Sequence, residues 1–98
     1  YPDIEREKEI VRVRVPDVDA ALADQIAKVV NTIRNLDLKK SPSISETIDW
    51  ARTLAFLGRN EITPEVLGDT MHVLLKYQSD IAKARKELGV DAPVVIKK

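Results

Sequence analysis

The chain has 98 residues, which is enough for one small domain with a single apolar core. Its 16 basic residues balance 16 acidic ones, and this neutrality argues against a dedicated nucleic-acid-binding protein, where a basic face supplies most of the affinity. There is no cysteine, which excludes a disulfide or a thiolate nucleophile, and the apolar runs are far shorter than the ~20 residues of a membrane span. No signal-peptide pattern opens the chain, so we expect a cytoplasmic protein without nucleic-acid or membrane partners.

The first of five predicted helices runs from Ile4 to about Arg14. Asp3 is its expected N-cap, and Glu5 and Glu7 are interpreted as first-turn charges that the helix dipole favours. Valine and arginine alternate at positions 11–15, a pattern that would also suit a strand. The charged run before this stretch and the proline after it favour a helix.

The second predicted helix, about Asp19 to Leu36, is the clearest of the five because its apolar residues recur at helical spacing. They form one stripe that should face the core: Leu22, Ile26, Val29, Val30, Ile33 and Leu36.

The third predicted helix opens with a capping box, in which Ser43 and Glu46 each satisfy a backbone N–H group of the other. It should end at Gly58. Its apolar residues cover about half of its circumference, which predicts a central helix that several others contact. They are Ile44, Ile48, Trp50, Ala51, Leu54, Ala55 and Leu57. Trp50 is expected in the core with its indole N–H reaching the domain edge, whereas Phe56 lies off the apolar arc.

The fourth predicted helix begins with Thr63 as N-cap and Pro64 in the first position, and runs to about Tyr77. The fifth runs from Asp80 to Leu88 and ends at Gly89. Residues 90–98 are predicted to be a flexible tail. The pattern as a whole predicts a small all-α bundle that forms one domain over residues 1–98.

Catalytic side chains are scarce in this sequence. His72 is the only histidine and falls on the polar side of the fourth helix, where a solvated surface histidine is the simplest interpretation. None of the three glycines is followed by the Lys-Ser/Thr of a phosphate-binding P-loop. We therefore expect residues 1–98 alone not to hydrolyse ATP by that mechanism.

An ordered set of motifs resembles the C-terminal helical lid of MoxR-type AAA+ ATPases, in the branch that includes the CoxD-like proteins. The family pattern K-x-P-S-x-x-E-T-x-D-W-A-R-x-L is matched by Lys40–Leu54. A Leu-Gly helix stop and the pattern L-L-K-Y-x-x-D-I are matched by Leu57-Gly58 and Leu74–Ile81. The start, Tyr1–Glu7, resembles the family's entry into the lid. The resemblance covers roughly residues 1–85.

This resemblance implies that the chain is part of a larger ATPase, and the absence of an initial methionine also favours this interpretation. The parent protein would bind ATP and Mg²⁺ through a core domain, whereas this fragment would bind neither tightly. The lid would contact that core domain and neighbouring ring subunits. Family members commonly work with a von Willebrand factor A-type partner and remodel or mature a client protein.

The resemblance also implies which residues lie near the nucleotide. The lid helix of AAA+ proteins carries a sensor arginine near its N-terminus, and here Ser45 occupies the corresponding position. Either the sensor function is weakened, or a nearby cation replaces it: Lys39, Lys40 or Arg52. Ser43 and Glu46 complete this predicted site, together with Tyr1 and Pro2 at the lid entrance.

Three alternatives stay open at this point. Ser43 and Glu46 can serve only as a helix cap, without any role toward nucleotide. The whole chain can be a free-standing helical protein-interaction module, for which an exposed apolar patch would be the sign. A helix-turn-helix DNA-binding domain is a weaker alternative, because no helix clusters the Arg, Lys, Asn and Gln that read bases.

Phe56 either covers another helix or meets the core domain or a neighbouring subunit.

Overall fold

The computed structural model describes residues 3–90, and within them every regular element is an α-helix. The predicted all-α bundle is therefore confirmed. Tyr1, Pro2 and the predicted tail from residue 91 onward lie outside the described residues. The helices are α1 (Ile4–Arg14), α2 (Ala20–Arg34), α3 (Ile44–Phe56), α4 (Pro64–Leu74) and α5 (Gln78–Glu87).

α1 and α2 form a packed pair in which both N-termini are capped by aspartate. Asp3 accepts the backbone N–H of Arg6 and Asp19 accepts that of Leu22, each at 2.8 Å. The ambiguous stretch at the end of α1 is helical because Val11 and Val15, four positions apart, both enter the core. Val13 is 71% exposed, whereas a strand would have placed it on the same face as the other two valines.

α3 is the central helix, as its wide apolar arc predicted, and it packs against α1, α2 and α4. Trp50 is fully buried on α3, and its indole N–H donates to Thr70 Oγ1 of α4 at 2.7 Å. The expectation that this N–H reaches the domain edge was wrong, because the buried threonine hydroxyl supplies a partner inside the core. Leu57 also departs from expectation: it follows the last residue of α3 and is 52% exposed.

α4 is shorter than predicted because Leu75 adopts an extended conformation (φ −121°, ψ 139°). This turn of the backbone brings the Leu75 side chain into the core beside Leu74. The linker that follows, residues 75–77, is called the α4–α5 linker below. Thr63 caps α4 as predicted, accepting the Val66 N–H at 3.1 Å.

α5 packs against α4 and ends at Gly89, whose positive φ of 73° is the usual conformation for a residue that ends a helix. The Val90 N–H then bonds to the Arg85 carbonyl at 2.8 Å. Val90 lies against α4 at Gly68, where an added Cβ would come within 2.8 Å of Val90 Cγ1. The first residue of the predicted tail is therefore packed.

Candidate functional site

The candidate site surrounds the α2–α3 loop, defined here as residues 35–43, which leads into the N-terminus of α3. Three side chains from other parts of the chain bind the backbone of this loop. Asp80 binds the backbone of Lys39 and Lys40, Arg34 binds the Pro42 carbonyl, and Lys83 donates to the Asp37 carbonyl at 2.8 Å. Because these contacts fix its backbone, the loop can present its side chains in a defined geometry.

Asp80 holds the middle of the loop from the first turn of α5. Its carboxylate is 3% exposed and accepts the backbone N–H groups of Lys39 at 2.9 Å and Lys40 at 3.0 Å. Two consecutive N–H groups of this kind can form an anion-binding concavity. Here the protein's own carboxylate fills it, so an external anion must be bound by the lysine side chains.

A buried ion pair holds the end of the loop nearest α3. Arg34, the last residue of α2, donates to the Glu7 carboxylate through both terminal nitrogens, with Nη2 2.8 Å from Oε2. Its Nε donates to the Pro42 carbonyl at 3.0 Å, and Nη2 lies 3.4 Å from Thr47 Oγ1. The interpretation of Glu7 as only a first-turn charge was incomplete, because it is 1% exposed and joins α1 to α2.

Glu46 connects the start of α3 to two lysines. The predicted capping box is present: Ser43 Oγ accepts the Glu46 N–H at 3.1 Å, and Glu46 Oε1 accepts the Ser43 N–H at 2.9 Å. The same carboxylate lies 3.1 Å from the Lys40 ammonium and 3.3 Å from the Lys76 ammonium. Burial by itself raises the pKa of Glu46, but the Ser43 N–H and the two ammonium groups outweigh burial and lower the pKa to about 2. Glu46 is therefore ionised at neutral pH.

Lys39 is arranged differently from Lys40. Its ammonium lies 5.6 Å from the centroid of the Tyr77 ring, within the range of a cation–π contact. Within residues 3–90, it makes no salt bridge with a carboxylate. Of the lysines on this loop, it is the one whose positive charge is least neutralised.

Five of the predicted site residues lie together at the N-terminus of α3: Lys39, Lys40, Ser43, Ser45 and Glu46. Arg52 does not join them, because eight residues of helix place it ~12 Å along the axis from Ile44. It is exposed and pairs with Asp49 at 3.8 Å. Tyr1 and Pro2 lie outside the described residues.

Phe56 lies at the opposite end of α3 and is 90% exposed. Two alternatives were left open for Phe56, and the prediction that it covers another helix is wrong for the described residues. It ends an exposed stripe along α3 that begins beside the α2–α3 loop. The stripe consists of Ser45, Asp49, Arg52 and Phe56. A role for Phe56 in an interface stays a prediction.

Sequence reasoning missed the residues that act on the loop from a distance. Arg34 and Glu7 are 27 positions apart, and Asp80 binds residues 40 and 41 positions before it. No local spacing signals such contacts. For Lys76 and Tyr77, the family pattern L-L-K-Y-x-x-D-I was a signal, but it carried no indication of what the two side chains contact.

The lysine side chains around the α2–α3 loop carry the positive charge that would suit an anion. His72 is exposed on α4, as predicted. In the part of the chain that the structure describes, no three acidic or histidine side chains are grouped to hold a metal ion, and no helix is long and apolar enough to cross a membrane. A scan against protein-family models found no match, and searches of curated proteins and of solved structures found none either.

Proposed function

We propose that this chain is the C-terminal helical lid of a MoxR- or CoxD-like AAA+ ATPase. The lid closes over ATP and Mg²⁺ held by a core domain elsewhere in the parent protein, and couples hydrolysis to the remodelling or maturation of a client protein. The ordered motifs from Lys40 to Ile81 support this proposal. The observation that carries it is the anchored, lysine-bearing loop at the N-terminus of α3, where the resemblance expects a phosphate sensor.

The anchoring suits a lid because a lid must move as one body. Asp80 connects the α2–α3 loop to α5. Arg34 binds the loop and pairs with Glu7, which connects the loop to α1. A rotation of the bundle against the core domain therefore carries the loop with it, and the nucleotide state is transmitted by rigid-body movement.

Lys39 is the best-placed replacement for the sensor arginine. Ser45 is exposed at the second position of α3 and carries no charge. Lys40 is already bound to the Glu46 carboxylate, whereas Lys39 rests on Tyr77 and can turn toward a phosphate at little electrostatic cost. A cation placed against developing phosphate charge lowers the barrier by several kcal/mol.

The test begins with the coding sequence upstream of Tyr1, where Walker A and Walker B motifs are expected. In the protein that carries this core domain, Lys39→Ala should lower ATP turnover by about 100-fold, the usual effect of losing one transition-state donor. Lys86→Ala, an exposed cation on α5, is the matched control. Ser45→Arg should also change turnover, by restoring a sensor or by disturbing the existing one.

Absence of both Walker motifs would exclude the lid proposal. Unchanged turnover in the Lys39→Ala, Lys40→Ala and Ser45→Arg proteins would leave helix capping as the role of this segment. The isolated 98-residue chain should show no ATP turnover, and magnesium-dependent hydrolysis by it would contradict the proposal.

A free-standing helical interaction module is the second candidate, and the exposure of Phe56 favours it. Phe56 is 90% exposed beside Leu57, which is 52% exposed. Aromatic side chains that become buried when a partner binds are common anchors of protein interfaces. The two candidates separate in one comparison. In a lid, Phe56→Ala should impair ATPase coupling of the parent protein, whereas in a free-standing module no ATPase exists to be impaired.

A further inference from the structure

The α4–α5 linker contributes a cation to the same place as the α2–α3 loop. Lys76, from this linker, lies 3.3 Å from Glu46 Oε2, and Lys40, from the loop, lies 3.1 Å from Oε1. One carboxylate thus holds two ammonium groups that are 36 positions apart in the sequence. Because the capping box fixes Glu46 against α3, its carboxylate is a fixed partner for both ammonium groups.

Tyr77 contacts a third ammonium group, that of Lys39. Its ring is 47% exposed and lies 5.6 Å from the ammonium of Lys39. The adjacent linker residues Lys76 and Tyr77 therefore each contact a partner from the segment that contains the loop and the start of α3. The exposed side chains of the two segments are therefore neighbours on the surface of the bundle.

The charge of this surface is unbalanced. The ammonium groups of Lys40 and Lys76 contact the carboxylate of Glu46, and Lys39 adds a third ammonium group over the Tyr77 ring. Asp80 is nearby, but it is buried and accepts backbone N–H groups of the loop. The three ammonium groups exceed the two carboxylates of Glu46 and Asp80 by one positive charge, so this surface attracts anions.

We infer that Lys76 and Tyr77 of the α4–α5 linker form, with Lys39 and Lys40, one binding surface for the polyphosphate chain of a nucleotide. This inference rests on the proposed function and extends its site to Lys76 and Tyr77, to which the resemblance assigned no role. Lys39, Lys40 and Lys76 bind phosphate oxygens, Tyr77 orients Lys39, and Glu46 keeps Lys40 and Lys76 in place before the anion arrives.

The chemistry of the donors favours a chain of phosphates over a single planar carboxylate. Lysine ammonium groups are point charges on flexible stems, suited to the tetrahedral, multiply charged phosphate groups, whereas planar carboxylates are matched best by the arginine fork. Ammonium groups reach the surface from two segments, so a ligand that spans both gains contacts that one phosphate does not.

The experiment is a nuclear magnetic resonance titration of the ¹⁵N-labelled chain at low ionic strength, with millimolar tripolyphosphate, ATP or AMP. Tripolyphosphate and ATP should shift the backbone amide signals of both the α2–α3 loop and the α4–α5 linker. AMP should bind more weakly than ATP because it carries fewer negative charges. Added salt should weaken all three.

Matched variants assign the effect to named side chains. Lys76→Ala and Tyr77→Ala should each weaken tripolyphosphate binding about two- to five-fold, because the first removes a partly exposed charge and the second removes the cation–π contact that orients Lys39. Tyr77→Phe keeps the ring, and Lys86→Ala removes an exposed cation elsewhere, so both should bind like the unmodified chain.

Several results would overturn the inference: no shift with any of the three anions, shifts confined to the α2–α3 loop, or Lys76→Ala binding like Lys86→Ala. None of these removes the lid proposal, which the upstream Walker motifs and parental ATP turnover decide. Conversely, a missing core domain removes the lid proposal and with it the nucleotide as ligand, even where tripolyphosphate binds.

Discussion

Glu46 shows how much one side chain contributes to this site. It completes the capping box of α3, pairs with Lys40 and Lys76, and is almost entirely buried among these partners. A carboxylate in this position stabilises the fold only while it is ionised, because each of its partners is a hydrogen-bond donor. Its role in folding can therefore be separated from any role toward nucleotide by changing pH.

Glu46→Gln should remove a pH-dependent part of the stability. The folded-state pKa of Glu46 is about 2, below its ordinary value of 4.5, so its contribution is complete above pH 4.5 and disappears as pH falls toward 2. Since Lys40 and Lys76 are about half exposed, water screens their charges, and the contribution of Glu46 to stability is on the order of 1–2 kcal/mol. Urea denaturation at several pH values should show the variant and the native chain converging in acid.

The matched control for this experiment is Glu9→Gln. Glu9 is exposed and lies 3.9 Å from Arg6 on the surface of α1. Its substitution should change stability by less than about 0.5 kcal/mol at any pH. A constant difference between native and Glu46→Gln chains from pH 7 to pH 2 would refute the assignment of the acid-sensitive contribution to Glu46.

Arg34→Ala should be among the most destabilising single changes in this chain. It leaves the Glu7 carboxylate buried without its guanidinium partner and also frees the Pro42 carbonyl. Breaking a buried ion pair from one side costs about 3–5 kcal/mol. Arg34→Lys keeps the charge but cannot reproduce the bidentate contact, so it should cost less, about 1–2 kcal/mol. Equal urea midpoints for Arg34→Ala and native protein would show that the pair contributes nothing.

Among the elements, α5 is held by the fewest contacts. It packs against α4, chiefly through the buried side chain of Ala84, and its first turn is attached to the α2–α3 loop by Asp80. α3, by contrast, packs against three helices. The order of local stability should follow this difference, because elements with few buried contacts open first.

Asp80→Ala should release α5 while leaving the rest of the bundle folded. The substitution removes the acceptor of two partly buried loop N–H groups, at a cost of about 1–3 kcal/mol in all. Hydrogen exchange should accelerate in α5 and in the Lys39 and Lys40 amides, while α2 and α3 keep their protection. Asp80→Asn retains one acceptor oxygen and should have a smaller effect. Uniformly faster exchange across all helices would contradict a local role.

The two ends of α3 present different surfaces. The N-terminal end carries the lysines of the α2–α3 loop, and the C-terminal end carries Phe56, ~18 Å away along the helix axis. One small ligand cannot contact both. In the lid proposal, Phe56 would therefore meet protein, either the core domain or a neighbouring subunit.

Phe56→Ala should leave the stability of the isolated chain within about 0.5 kcal/mol of the native value, because the ring is almost fully exposed. Leu54→Ala, two positions earlier and fully buried, is the control and should cost about 2–5 kcal/mol. Comparable losses in the two variants, measured by urea denaturation, would mean that Phe56 packs against something in solution.

At the scale of the whole molecule, the apolar stripes of α2 and α3 pack into a core that lies within one copy of the chain. Leu22, Ile26 and Ile33 of α2 and Ile48 and Leu54 of α3 belong to one buried cluster. A helical bundle that buries its stripes internally has no need of a partner to fold.

We therefore expect the isolated chain to be a monomer with a helical circular dichroism spectrum. Sedimentation equilibrium should give a single species of 11.0 kDa at micromolar concentration. A dimer that dissociates only on unfolding would contradict this expectation, because it would require the buried stripe of α2 to lie between two copies.

The sequence by itself determined the elements. Helical spacing of apolar residues and local capping chemistry predicted α2, the capping box at Ser43 and the start of α4 at Thr63, because these signals act over three or four positions. For the same reason the loop residues Lys39 and Lys40 could be placed at the entrance of α3. Local rules also predicted the central position of α3 from its wide apolar arc.

Only the tertiary structure decided which side chains of those elements contact one another. α4 ends at Leu74 because an extended backbone at Leu75 buries the Leu75 side chain in the core. Glu7 can be buried because the guanidinium of Arg34 pairs with its carboxylate. The convergence of Lys40 and Lys76 on Glu46 depends on how α3 and α4 are packed. Such contacts join distant positions, and their energies depend on burial and geometry that exist only once the chain has folded.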